Sequence, residues 1–272
     1  MDDSSVLILG SNGNIAKSLA SIFPSSTKVT RQEYLTWLED KETNLSSFIA
    51  SQKSAPKLIF NCVGITNPAL DESLILKLNY ELPKLLLSST LDETPKVITF
   101  GTVMENIQEY ALTNNYLKSK FLFQEWLQNS NKNDKFLHLQ LHTLYGGTRI
   151  HEHMFLGQIY SAIRLKKPFS MSTGIQIREY HHIQDDVLAT LELVRRGMTG
   201  ILPISHGESV KLRDLAEHIF DYFDCRNLLE IGKFEPNEYD AVSPISLSNH
   251  NFNMTQFRDT RTGIIDWLSA NL

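Results

Sequence analysis

The sequence predicts an α/β fold, a doubly wound parallel sheet followed by a small lobe, and three observations carry that prediction. The apolar run Val6-Leu7-Ile8-Leu9 near the start leads straight into a glycine turn, Gly10-Ser11-Asn12-Gly13-Asn14-Ile15-Ala16. Short apolar segments then alternate with helix-length stretches as far as Leu141. The Val6–Leu9 run is continuous, as expected of a strand covered on both faces, and the alternation of strands with helices argues for a parallel sheet with helices on both faces. At 272 residues the chain can bury a substantial core.

Val6 to Leu9 is read as the first strand, and Asn14 to Phe23 as the helix that follows it. Thr27 to Arg31 is a second strand, and the stretch around Tyr34 to Gln52 is helical. Lys57 to Cys62 and Lys96 to Gly101 are the third and fourth strands. Tyr116 to Gln128 is a long helix, and Phe136 to Leu141 a fifth strand. From His151 the pattern changes. Met154 to Leu165 reads as a helix, followed by an irregular stretch to Arg178. A helix starting near Asp185 and a strand at Gly200 to Ile204 return to the sheet, and Lys211 to Phe223 and Asn253 to Leu272 are helical.

Composition narrows the function classes. The chain is 42% hydrophobic and 21% charged with a net charge of −5, and no basic run stands out, so nucleic acid is not an expected partner. The acidic start, Met1-Asp2-Asp3-Ser4-Ser5, lacks the basic segment of a secretory signal. No stretch reaches the roughly 18 apolar residues of a membrane span. Two cysteines, Cys62 and Cys225, cannot form a disulfide framework. These features predict a cytoplasmic protein with no membrane partner.

The glycine turn is the first chemical signal. Gly10 lets the chain turn tightly, Gly13 lets backbone approach a pyrophosphate, and the small Ala16 lets helix and strand pack closely. Amides at the helix start favour phosphate. The sheet is therefore expected to be Rossmann-type and to bind a dinucleotide, with Gly10, Asn12, Gly13, Asn14 and Ile15 around it. An acidic residue closing the second strand would hold the ribose hydroxyls of NAD, whereas this chain has Thr30-Arg31-Gln32. A guanidinium suits a 2′-phosphate, so NADP(H) is favoured over NAD(H) and Arg31 is its reader. The alternative is that Arg31 faces solvent and Glu33 holds the ribose.

Tyr116 and Lys120 are the second signal. Positions i and i+4 share a helix face, so a phenol and an ammonium can point into one cleft. The positive charge is expected to lower the phenol's proton affinity, which suits a proton donor to a carbonyl. Spacing alone does not single this pair out among nine tyrosines, since Tyr80/Lys84 and Tyr160/Arg164 are spaced alike. Only Tyr116 lies directly after a strand able to flank a cofactor, the one ending at Phe100-Gly101-Thr102.

In this order the elements resemble the extended short-chain dehydrogenase/reductases, the superfamily of NAD(P)-dependent sugar-nucleotide epimerases, dehydratases and ketoreductases. The resemblance spans nearly the whole chain. Besides the glycine turn and Tyr116/Lys120 it includes Asn61-Cys62-Val63-Gly64, Leu78-Asn79, Leu144-Tyr145-Gly146, Gly174-Ile175-Gln176-Ile177-Arg178-Glu179-Tyr180, and Gly207-Glu208-Ser209 with Leu212-Arg213-Asp214-Leu215. It implies a catalytic set of Thr102, Tyr116 and Lys120, with Lys120 also holding the nicotinamide ribose. Asn61, Cys62, Val63, Gly64 and Asn79 would border the cofactor. Thr143, Phe169 and Arg178 would meet a nucleotide-sugar substrate, Arg178 at its diphosphate. It further implies an NADP(H)-binding domain over 1–150, with 183–204 returning to it, and a small substrate-binding lobe over 151–182 and 205–272.

The departures select within the superfamily. Its dehydratases carry an Asp-Glu pair after the catalytic Thr, where this chain has Val103-Met104, although Glu105 and Glu109 are near. Its epimerases retain NAD and have an acidic residue after the second strand, which is absent here. Gln140 stands where many relatives have Arg. The pattern is most like nucleoside-diphosphate 4-keto-6-deoxysugar reductases of deoxysugar and surface-polysaccharide biosynthesis. An NAD-dependent epimerase or dehydratase is the alternative, and a dinucleotide-binding regulator without catalysis is a third reading.

Metal ligation is not expected. His151-Glu152-His153 and His181-His182 with Asp185 and Asp186 show no third ligand at a suitable spacing. Asp185 or Asp186 is read instead as capping or opening a helix, and Cys62 as a small buried residue. A homodimer is compatible with Phe121, Phe123 and Trp126 on the Tyr116 helix, through which relatives pair.

Overall fold

The computed structural model describes residues 3–39, 43–89, 96–130, 134–235, 241–245 and 257–272. The chain forms two compact units, Met1–Leu141 with Val187–Pro203, and His142–Asp186 with Ile204–Leu272.

The first unit is an α/β layer structure. Its strands β1 (Val6–Leu9), β2 (Thr27–Val29), β3 (Leu58–Asn61), β4 (Lys96–Thr102), β5 (Phe136–Leu141) and β9 (Gly200–Pro203) form one parallel sheet in the order β2-β1-β3-β4-β5-β9. Every residue of β1, β3 and β5 is buried; β1 is wholly apolar, while the polar Asn61 of β3 and His138 and Gln140 of β5 are buried with hydrogen-bond partners. Leu7 pairs with both Thr27 and Ile59, and Phe100 with Leu139. Helix α1 (Asn14–Ile22) follows β1 without a gap.

The second strand is shorter than the sequence suggests. It ends at Val29, and Arg31 opens helix α2 (Arg31–Glu39) because Thr30 and Glu33 cap it reciprocally. The Thr30 N–H and hydroxyl donate to the Glu33 carboxylate at 2.6 and 2.7 Å, and the Glu33 N–H returns to Thr30 Oγ1 at 3.3 Å. The helical stretch predicted around 34–52 takes in most of α2, which starts three residues earlier, and α3 (Thr43–Ala50); residues 40–42 lie outside the described ones.

After α4 (Glu72–Leu76) the helix widens into a π-turn at Lys77–Glu81 and then runs on as α5 (Leu82–Ser89). Pro83 has no N–H to return to the carbonyl of Asn79, so regular α-helical pairing is lost there. The widened turn carries the buried Asn79. A short helix α6 (Gln108–Ala111) precedes α7 (Asn115–Gln128), which starts where the Asn114 side chain accepts from the Leu117 N–H at 2.9 Å. Phe123 of α7 is 1% exposed, lies in the core with Leu7, Ile59 and Leu127, and meets the His138 ring edge-on at 5.3 Å. Trp126 stacks on it, so these aromatics serve the unit's own core.

The chain leaves the first unit at His142, one residue before β6 (Thr143–Tyr145) pairs with β8 (Ile177–His182) in a different sheet. Strand β10 (Ser209–Lys211) completes that sheet, and β7 (Phe169–Met171) pairs with β11 (Leu229–Ile231). Helices α8 (Phe155–Leu165), α10 (Leu212–Tyr222) and α11 (Thr260–Ser269) pack around Leu156, Ile159, Ile219, Phe220 and Ile264. The stretch expected to be irregular up to Arg178 contains β7, whose Phe169 stacks on Phe220 and meets Phe155 edge-on. The last helix begins at Thr260, capped by Asp259, rather than at Asn253, and residues 253–256 lie outside the described ones. Helix α9 (Ile183–Arg195) contains Asp185 and Asp186 in its first turn. Among the described residues no helix is long and apolar enough to cross a membrane.

Phe123→Ala is expected to cost about 3–5 kcal/mol of stability, the usual loss for a fully buried aromatic ring. Urea denaturation checks this; a loss under about 1 kcal/mol would mean that α7 does not depend on this contact.

Candidate active site

The sheet runs outward from β1 through β2 on one side and from β3 through β4 and β5 on the other, so its direction reverses between β1 and β3. Beyond the carboxyl ends of strands at such a reversal is where doubly wound sheets hold ligands. Gly10 follows β1 with φ +79°, a conformation that favours glycine. A Cβ there would lie 2.9 Å from the backbone carbon and oxygen of Cys62 and from the Val63 nitrogen. The Gly13 N–H donates to the Gly10 carbonyl at 2.9 Å. Gly13 is the N-cap of α1 and offers that helix start no side-chain cap, so its first-turn amides and partial positive charge suit an anion. Asn14 and Ile15 are half-buried in that first turn, while Asn12 is exposed. The turn fits a dinucleotide pyrophosphate.

The segment after β3 is fixed by a chain of hydrogen bonds reaching α7. Asn61 Oδ1 accepts from the Val63 N–H at 3.2 Å. Asn79 accepts from the Ile65 N–H at 2.8 Å and donates to the Ile65 carbonyl at 2.9 Å and to Ser119 Oγ at 3.0 Å. The Ser119 hydroxyl donates to the Tyr116 carbonyl at 2.7 Å. One side chain on the π-turn therefore sets both the glycine-bearing segment 61–65 and the helix that carries Tyr116.

Thr102, Tyr116 and Lys120 come together at the end of β4. Thr102 is hydrogen-bonded to the Tyr116 hydroxyl. Lys120, 8% exposed, donates to the Phe100 carbonyl at 2.7 Å. Thr102 also caps the helical turn Val103–Asn106, accepting from the Met104 N–H at 3.4 Å, while its own N–H donates to Glu105 at 3.1 Å. Burial pushes the Tyr116 phenol well above its ordinary value, the Glu105 carboxylate adds to this, and the Thr102 bond opposes it. The phenol is thus raised rather than lowered as the Lys120 spacing suggested, because burial and a negative charge outweigh the rest. Burial lowers the Lys120 amine, and Glu105 opposes that shift.

Glu105 is the residue that spacing did not single out. It is 1% exposed, and its carboxylate faces His138 Nε2 at 2.7 Å and accepts from Gln140 at 3.1 Å. His138 in turn faces Thr99 Oγ1 at 2.7 Å. Both oxygens are engaged by Thr102, His138 and Gln140, so Glu105 acts on its neighbours through its charge and not as a free acid or base. Its sequence signal is the capping pattern Thr102-Val103-Met104-Glu105. Gln140, which replaces an expected Arg, is one of its partners.

The other candidates fall as follows. Arg31 is exposed at the first position of α2, and Glu33 is occupied by its cap, leaving Arg31 as the charged group after β2. Burial raises the Cys62 thiol, so it is not a ready nucleophile. The Lys84 amine donates to the Tyr80 hydroxyl at 3.2 Å, and the Arg164 guanidinium lies over the Tyr160 ring, so both competing pairs close on themselves. In the second unit Thr143 pairs opposite Tyr180, and Arg178 Nη1 donates to the Ile177 carbonyl at 2.8 Å. Phe169 is a core residue, 5% exposed.

No family model matches the chain, and no curated protein matches it. Solved structures do match its fold. A dTDP-4-dehydrorhamnose reductase from Yersinia enterocolitica is 14% identical with a TM-score of 0.76, covering 98% of this chain and 99% of that one. The same enzyme from Bacillus anthracis, in complex with NADP, is 16% identical with a TM-score of 0.68, over 88% and 86% of the two chains. MoeE5, in complex with UDP-glucuronic acid and NAD, is 15% identical with a TM-score of 0.73, over 98% and 100%. The chain has the Rossmann-type fold of these proteins, which are of the kind its sequence resembles.

Glu105→Gln keeps the cap, since Gln serves there as Glu does, and removes the charge. The Tyr116 phenol is then expected to ionise at lower pH than in the parent. Ultraviolet titration, with Tyr116→Phe versions of both proteins as blanks, checks the shift; an unchanged or higher midpoint would overturn the role of Glu105.

Proposed function

We propose that this chain is an NADPH-dependent reductase acting on the keto group of a nucleoside-diphosphate 4-keto-6-deoxysugar. The observation that carries the reading is the Thr102–Tyr116 hydrogen bond beside the buried Lys120, in the same unit as the Gly10 turn. A bound nicotinamide dinucleotide would supply hydride to the carbonyl carbon. The chain's own groups handle the oxygen. Tyr116, held protonated by burial and by Glu105, gives its proton to the developing alkoxide, and Thr102 hydrogen-bonds the same oxygen. Lys120 steadies the nicotinamide ribose, while the segment 61–65 borders the ring. Arg178 and Thr143 take the nucleotide-sugar substrate, a cation being needed for its phosphates in a chain of net charge −5.

The absence of an Asp-Glu pair after Thr102, and the engagement of Glu105 by Thr102, His138 and Gln140, speak against a dehydratase. NADPH is favoured over NADH because Arg31, not an acid, follows β2 once Glu33 is committed to capping. Both dinucleotides occur among proteins of this fold.

Loss of NADPH absorbance against a panel of nucleotide-linked 4-ketosugars tests the activity. Tyr116→Phe should lower kcat by about two orders of magnitude or more while NADPH binding persists; near-normal turnover, or stoichiometric NAD in the purified protein with no net NADPH use, would overturn the reading. Arg31→Ala should reduce the preference for NADPH over NADH by about tenfold, and an unchanged ratio of dissociation constants would overturn the assignment of Arg31.

A further inference from the structure

Thr99 of β4 and His138 of β5 are buried polar groups that the proposed reduction leaves unused. The Thr99 hydroxyl lies 2.7 Å from His138 Nδ1, and His138 Nε2 lies 2.7 Å from Glu105 Oε1. Hydroxyl, imidazole and carboxylate in a row are the parts of a nucleophile triad. With Thr99 only 2% exposed, no substrate reaches that hydroxyl. We propose instead that Thr99 and His138 are positioning residues: Thr99 fixes the imidazole proton on Nε2, and His138 thereby holds Glu105 as an anion beside Tyr116 and Lys120.

The direction of each hydrogen bond follows from what its partners can do. The Thr102 backbone N–H, 3.1 Å from Glu105 Oε2, can only donate. Gln140 also donates to Glu105, at 3.1 Å, and a backbone group sets the polarity of that amide. The Val103 carbonyl takes the Asn106 amide N–H at 3.1 Å, after which Asn106 and Gln140 pair donor to acceptor at 3.0 and 3.1 Å. The Thr99 hydroxyl sets the remaining bond. Its hydrogen is buried and meets one acceptor among the described residues, His138 Nδ1, so the ring proton sits on Nε2 and donates to Glu105. An imidazolium, or a protonated Glu105 donating to Nε2, would put a hydrogen on Nδ1 and leave the Thr99 hydrogen unpaired, which is costly in a buried place.

Three donors therefore surround the Glu105 carboxylate, and bonds to an ionised acceptor are the strong kind. The titratable groups around it are His138 from β5 and Tyr116 and Lys120 from α7. Without the Thr99 hydroxyl, Nδ1 can take a proton as the pH falls. Either the ring becomes an imidazolium, or it adopts the other tautomer while Glu105 takes a proton and donates it to Nε2. In both cases the pair gains one proton on Nδ1 and the negative charge beside Tyr116 and Lys120 is cancelled.

The consequence for turnover rests on the reduction proposed above, so the assignment is tested first without any substrate. Nitrogen-15 NMR of the histidine rings, with the His138 signals identified by their loss in His138→Gln, should show Nδ1 bare and Nε2 protonated in the parent between about pH 6 and about pH 8. Thr99→Val should protonate Nδ1 at the acid end of that range, and Thr99→Ser, which keeps the hydroxyl, should not. A protonated Nδ1 in the parent, or a bare one in a folded Thr99→Val protein at about pH 6, refutes the assignment. With a reducible 4-ketosugar, kcat should stay level over the same range in the parent and Thr99→Ser but fall about tenfold towards acid in Thr99→Val. A level kcat in a Thr99→Val protein whose Nδ1 is protonated refutes the positioning role. Should none of the proteins reduce a 4-ketosugar, the proposed function falls, and the ring signals still decide what Thr99 and His138 do to Glu105.

Discussion

One buried carboxylate organises the reactive end of the first unit. Glu105 lies under Thr102, beside His138 and Gln140, and its charge reaches both Tyr116 and Lys120. A carboxylate with almost no exposure persists only when paired and hydrogen-bonded. Its requirements therefore fix the neighbours. Gly101 must be a glycine, because a side chain there would run into Glu105 and His138. The same negative charge opposes the loss of the Lys120 proton that burial favours, so the ammonium keeps a counterion without a direct ion pair.

Preorganisation in this unit runs through backbone as much as side chains. Asn79 is held on a π-turn just ahead of Pro83, and from there it braces Ile65 on one side and Ser119 on the other. Lys120 ties α7 to β4 through the Phe100 carbonyl. The glycine turn, the 61–65 segment and the Tyr116 helix are thus set by bonds between rigid elements, and positioning of this kind is what a proton-transfer site needs before a substrate arrives.

Most of the first unit could be read from the sequence because its signals are local. Apolar or mostly apolar segments mark β1, β3 and β5, and the Gly10 turn follows directly on the buried β1 with a positive φ. Thr30-Arg31-Gln32-Glu33 was legible as a cap, yet the strand reading competed for the same residues and placed Arg31 one element too early. What could not be read depends on distant pairing. Glu105 meets His138 across 33 positions, and His181 meets His206 only through the pairing of β8 with β10 and the loop between. The short strand that carries Phe169 was not legible either, because it forms only by pairing with β11, about 60 positions away.

The spacing Tyr-x-x-x-Lys occurs twice in this unit, and comparing the copies shows what chemistry requires beyond spacing. In the first, the Lys84 amine donates to the Tyr80 hydroxyl and lies over both the Tyr80 and Trp126 rings, so the cation is spent on its own neighbour. In the second, the Lys120 amine is taken by a backbone carbonyl and the Tyr116 hydroxyl by Thr102, so the two groups share a buried environment with Glu105 but are not closed on each other. A phenol bonded to a second hydroxyl keeps a proton to give, and burial raises the cost of losing it until an acceptor with developing negative charge is presented. Environment, more than spacing, separates the two.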